Sequence, residues 1–267
     1  MAMDRSLDGG NRSLVRGLEI LRAFRPGVEV LGNGEISERT GLPRATVSRL
    51  AHTLVQIGVL DYVRPQRAFR LSASVLTFGH AFQVGSPILT AIGPLMRAEA
   101  HRQKVNIGLA TADRNMMVYL ESVRPNARIA LRTVAAGQQV PMELTSLGRA
   151  YLAGLSDTDR EPILRLVKRR SIADTKRLLA AIDASIESVR FSGYCAASWQ
   201  PGVLAVAAPI FVRGLAVHAI NMSVQDVRIT SKLTADLGQR LLSFVAKCSA
   251  LVDGSGPLHT AWVARAI

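Results

Sequence analysis

The chain has 267 residues, 48% of them apolar, and a formal charge of +13 at neutral pH. Such an apolar share excludes a disordered chain, and the length admits two modest domains. The charge points toward a polyanionic partner, yet residues 1–80 hold only 11 of the 33 cations against 7 acids, so charge alone does not locate the contact surface.

Residues 1–11 read as a disordered arm with no apolar core of the kind a signal peptide needs. Residues 13–24 place Leu14, Leu18, Leu21 and Ala23-Phe24 at helical spacing behind Ser13 as the expected cap. Pro26 and Gly27 stop that helix. Gly32-Asn33-Gly34 reads as a loop leading into a short helix over residues 35–40. Gly41 then supplies a left-handed terminator, and Pro43 opens a third helix running to about Ile57. Its inward face is Val47, Leu50, Ala51 and Leu54. Two extended segments, 59–64 and 68–72, enclose Pro65-Gln66-Arg67 as a hairpin. Helices followed by a hairpin in this order predict a winged helix-turn-helix over residues 12–73. Residues 74–85 read as a linker helix.

Residues 86–253 predict an α+β domain. Residues 106–111 and 116–123 form a hairpin about Asp113-Arg114-Asn115, and residues 128–134 are a further strand. Helices are expected over 145–153, after a capping box at Thr158–Glu161, over 175–190 and over 230–252. Residues 203–212 and 215–224 form a second hairpin across Arg213-Gly214, which interrupts the most apolar stretch of the chain. No membrane span is expected, and residues 254–267 read as a tail. Cys195 and Cys248 lack the neighbours of a zinc site or disulfide scaffold, and the five histidines are scattered. A cytoplasmic protein with no metal and no cofactor is the expectation.

A recognition helix buries one face and offers cations and hydroxyls on the other. Arg44, Thr46, Ser48 and Arg49 meet that need on the third helix, with His52 toward the same side, and Arg64 and Arg67 meet it at the wing tip. Double-stranded DNA is the partner these residues predict.

Gly41-Leu42-Pro43-Arg44-Ala45-Thr46-Val47-Ser48-Arg49-Leu50 resembles the recognition helix of the IclR family of bacterial regulators. Leu144-Thr145-Ser146-Leu147-Gly148-Arg149-Ala150 resembles that family's effector-side signature, and Gly193-Tyr194 with Pro201-Gly202 through Pro209 resembles a later one. The resemblance implies a GAF-like effector domain, a homodimer that can pair into a dimer of dimers, and promoter binding that answers to a small organic acid. A palindromic operator and a repressor role are expected with it.

Four segments are then expected to converge on the effector: Asn106 and Tyr119; the stretch through Met142, Ser146, Leu147 and Gly148; Ala205; and Asn221 with Ser223. Asn221 and Ser223 alternate onto one strand face, and the N–H groups near Ser146–Gly148 are expected to favour a carboxylate. The chain departs from the family where acids are frequent, carrying Ala196-Ala197-Ser198-Trp199-Gln200, and has Ala205 where a pocket cysteine is common. A less polar effector follows, such as an aromatic or branched carboxylate. The alternatives are an enzyme with an accessory DNA-binding module, for which Cys195 and His218 are the one nucleophile-base pair to weigh, and a pure interaction module.

Overall fold

The protein is described by a computed structural model over residues 10–125, 135–169, 175–212, 214–225 and 228–254. It divides into two compact units, the first ending at Phe82 and the second beginning at Gln83. The strand expected over 128–134, nearly all of the arm and all but the first residue of the tail lie outside the described residues.

The first unit runs α1 (Arg12–Arg22), β1 (Leu31–Gly32), α2 (Asn33–Thr40), α3 (Arg44–Gln56), β2 (Leu60–Val63) and β3 (Ala68–Leu71), followed by α4 (Val75–Gly85). Its core gathers Ile20, Leu31, Ile36, Val47, Ala51, Leu54, Leu60 and Phe69. Each large side chain fully buried there contributes about 1.5–3 kcal/mol. Leu50, expected inward, is half-buried at the core's margin.

Two local expectations are corrected here. Asn11, not Ser13, caps α1: its side-chain oxygen accepts the N–H groups of Ser13 at 3.0 Å and Leu14 at 3.1 Å. Asn33 and Gly34 of the supposed loop already belong to α2, which Gly32 caps as Glu35 reaches back to accept its N–H at 2.8 Å. Leu31–Gly32 is a strand that pairs antiparallel with β3, placing Leu31 opposite Phe69. Gly41 ends α2 with φ 72°, the left-handed conformation its missing Cβ permits.

The second unit runs α5 (Pro87–Gln103), β4 (Asn106–Asp113), β5 (Met116–Val123), β6 (Gln139–Pro141), α6 (Ser146–Gly154), α7 (Asp157–Arg169), α8 (Thr175–Ser192), β7 (Cys195–Ala196), β8 (Val203–Ile210), β9 (His218–Gln225) and α9 (Ser231–Gly254). Its antiparallel sheet has the order β6-β5-β4-β9-β8-β7. Strand alternation divides the core in two. Ile107, Leu109, Val206, Ala208, Ile220 and Met222 pack with α5 and α9. Ala110, Met117, Ala207 and Ala219 pack with α6, α7 and α8 on the opposite face.

Ser156, not Thr158, caps α7: its hydroxyl accepts the Asp159 N–H at 3.2 Å and donates to the Asp159 carboxylate at 2.6 Å. The β8–β9 hairpin closes through a longer connection than expected, because both strands stop short of Gly214. Among the described residues no single helix is long and apolar enough to cross a membrane.

Candidate nucleic-acid interface and effector site

In the first unit, α3 buries Val47, Ala51 and Leu54 and leaves Arg44 and Arg49 exposed, with Thr46 and Ser48 half-exposed. Pro43 precedes the helix and provides no side-chain cap, so the first N–H groups of α3 are left to other acceptors. Arg44 folds back toward α2; its Nη2 lies 3.5 Å from where a Cβ on Gly34 would stand. The wing tip is a 3₁₀ turn over Arg64–Gln66, closed by Arg67 at φ 48° with its N–H on the Arg64 carbonyl at 3.2 Å. Both wing arginines are exposed. All six residues expected to meet DNA therefore keep at least part of their surface in solvent.

In the second unit, strand register brings distant residues into rows. Asn106 and Ala205 flank Ser223, and in the next row Gly108 and Ala207 flank Asn221. Ala207 also opposes Cys195 on β7. The Tyr119 ring and the Asn221 side chain both lie over the bare Cα of Gly108: a Cβ there would stand 2.5 Å from Tyr119 Cε1 and 2.5 Å from Asn221 Oδ1. Asn221 is 7% exposed, and its Oδ1 has no hydrogen-bond partner among the described residues. A buried acceptor left in that state costs about 1–3 kcal/mol. Burial pushes the Tyr119 phenol up to about 12 despite the opposing pull of Arg124, so it stays a neutral donor.

The stretch from Met142 to Gly148 behaves differently. Met142 and Leu147 are core residues beneath the sheet. Ser146 is buried, and its carbonyl faces the Cys195 thiol at 3.6 Å. The N–H of Gly148, expected to be open to a carboxylate, is accepted by Thr145 Oγ1 at 3.2 Å, because Thr145 caps α6. That expectation is corrected: the helix start donates inward at this position. Gly108 and Cys195 were not among the expected site residues. A glycine within a strand is the sequence sign of close approach, and Gly108 carries it.

Cys195 and His218 do not form a nucleophile-base pair. Cys195 packs on the α6 face, whereas His218 alternates with Ala219 onto the other, where its Nδ1 lies 2.6 Å from the Ala216 carbonyl. Burial pushes the Cys195 thiol up to about 12, and burial together with Glu99 does the same for Cys248. Neither cysteine should react with iodoacetamide in the folded protein at pH 8, and both should react in guanidinium; rapid native labelling of Cys195 would contradict this burial. Among the described residues no group of three or more His, Cys, Asp or Glu side chains could hold a metal ion.

A winged helix-turn-helix with exposed cations, joined to an α+β domain that seats Tyr119 and Asn221 over Gly108 on one sheet face, defines a two-domain DNA-binding transcriptional regulator. The chain matches the IclR helix-turn-helix domain over residues 13–64 and the bacterial transcriptional regulator IclR C-terminal domain over residues 81–250. It belongs to the IclR family.

The Pca regulon regulatory protein of Pseudomonas putida is 29% identical over 241 residues, spanning 89% of this chain and 81% of that protein. The crystal structure of an IclR family transcriptional regulator from Brucella abortus superposes with a TM-score of 0.85 at 32% identity, covering 94% of this chain and 97% of that one. An IclR homolog from Microbacterium hydrocarbonoxydans, complexed with 4-hydroxybenzoate, shares the fold at a TM-score of 0.65 and 20% identity, over 91% of this chain and 100% of that one.

Proposed function

We propose that this regulator binds a palindromic double-stranded DNA operator as a homodimer and represses from it. We further propose that a small organic acid in the second domain modulates that binding. The observation that carries the effector reading is the buried, unpartnered Asn221 Oδ1 above Gly108. A hydroxyl on the ligand is the donor that this oxygen lacks. Gly108, Ala205 and Ala207 are small residues in adjoining rows of the sheet, and the Tyr119 phenol over Gly108 is a neutral donor for a carboxylate. An aromatic or branched carboxylate fits this chemistry better than a small keto acid. The Microbacterium relative holding 4-hydroxybenzoate supports a pocket of that kind in this fold.

Exposed Leu14 and Leu18 on α1, and Leu76, Phe78 and Phe82 on α4, support a partner copy meeting the first unit. A dimer of dimers, a cytoplasmic location and the absence of catalysis belong to the same reading.

Thermal shift with 4-hydroxybenzoate and branched carboxylates tests the site. A binder at about 100 times its Kd should stabilise the protein by roughly 2.7 kcal/mol. Asn221→Ala with Ser223→Ala should remove that shift, and Gly108→Ala should also remove it by displacing Tyr119 and Asn221 from their seat. Binders whose affinity survives all three changes would place the site elsewhere.

A further inference from the structure

His52 lies on the outward side of α3, where its imidazole could be taken for another DNA contact. Its ring is already engaged. The His52 and Tyr62 centroids are 5.6 Å apart with planes at 45°, and His52 meets Phe69 edge-on at 5.5 Å and 80°. Tyr62 and Phe69 close the triangle at 5.3 Å and 55°. All three separations lie in the range where aromatic pairs attract beyond simple burial. Tyr62 and Phe69 are directly opposed partners of β2 and β3. The imidazole therefore sits on a cross-strand pair that joins the two strands of the wing.

Sequence position gives this contact its consequence. His52 follows Ser48 by four residues and Arg49 by three, so all three share one side of α3. Tyr62 stands two residues before Arg64, and Phe69 two residues after Arg67. The ring cluster thus connects the helical turn that presents Ser48 and Arg49 to the strands that carry the wing cations. Phe69 is fully buried, which anchors the cluster to the core.

We propose that His52 is a positioning residue, which fixes the wing relative to the recognition helix through its ring and not through a proton donated to DNA. This inference rests on the DNA-binding reading above. With the ring gone, Arg64 and Arg67 sample a wider range and engage phosphate less often.

The test uses full-length protein, a duplex from the region upstream of its own gene and a scrambled duplex as control. His52→Ala should weaken binding about three- to tenfold. It should also lower the slope of log K against log salt by about one. His52→Phe, which keeps the ring and lacks the N–H, should restore both. His52→Gln, which keeps a donor and lacks the ring, should behave as the alanine variant. Hydrogen exchange across residues 60–71 without DNA should quicken in the alanine and glutamine variants and stay at the wild-type rate in the phenylalanine variant.

Wild-type binding by His52→Gln with a loss in His52→Phe would overturn the proposal in favour of a direct imidazole contact. Unchanged exchange in the alanine variant would overturn it as well. A wild-type protein that does not prefer the upstream duplex would sink the DNA reading instead, while the exchange result still decides whether His52 holds the wing.

Discussion

Gly148→Ala is expected to be among the most destabilising single-methyl additions in the second unit. A Cβ at this position would stand 2.0 Å from the Met142 carbonyl oxygen and 2.4 Å from its Cα. Those atoms are backbone, and Met142 is itself 1% exposed within the core. They cannot swing aside as a side-chain end can. Either α6 moves off the sheet or the segment before it shifts, and Thr145 loses its cap geometry with it. Overpacking a tight core costs about 1–3 kcal/mol and occasionally more, and the rigid neighbour places Gly148 at the upper end. For a domain of this size about 3 kcal/mol lowers the Tm by roughly 6–12 °C. Gly108→Ala should cost less, since the atoms in its way are the ends of Asn221 and Tyr119. Differential scanning calorimetry separates the two, and an unchanged Tm for Gly148→Ala would show that α6 is more loosely seated than this packing implies.

The second large effect concerns DNA. Arg44→Ala and Arg49→Ala should each cost about 1–3 kcal/mol of operator affinity, roughly 5- to 150-fold, if they pair with bases. Arg49 projects from the exposed side of α3, whereas Arg44 rests over Gly34 and must leave that seat to reach a base. The larger loss is therefore expected for Arg49. Arg67→Ala should instead weaken all sequences alike and reduce the salt slope by about one, because a wing-tip cation meets phosphate. Fluorescence anisotropy over a salt series separates the two patterns. Wild-type binding by all three variants would mean that α3 and the wing tip do not form the contact surface.

These expectations were legible to different depths. The recognition helix could be read because Val47, Ala51 and Leu54 repeat at helical spacing between a glycine terminator and a proline start. The two long hairpins of the second unit could be read because their strands run for eight residues, enough for alternation to register. β1, β6 and β7 have two or three residues each, too few to show any period, and exist because longer strands offer them partners. Both caps differ by two residues, since Asn11 against Ser13 and Ser156 against Thr158 are decided by where the first helical bond closes.

Asn221 and Ser223 could be placed on one face from alternation alone. The seat that Asn221 shares with Gly108 and Tyr119 could not, because it depends on pairing between strands more than a hundred residues apart. The engagement of the Gly148 N–H is hidden for a related reason: the motif marks a helix start, but only the fold reveals that Thr145 already occupies its donor.

Ligand occupancy in one domain should change DNA affinity in the other. This is tested most directly by titrating full-length protein onto a duplex from its own upstream region, with and without an aromatic carboxylate identified by thermal shift. A specific, salt-sensitive complex is expected whose Kd moves several-fold when the ligand is present, with no consumption of the ligand and no such response in Asn221→Ala with Ser223→Ala. A specific complex whose Kd is identical with and without a ligand that demonstrably binds at Asn221 would contradict it.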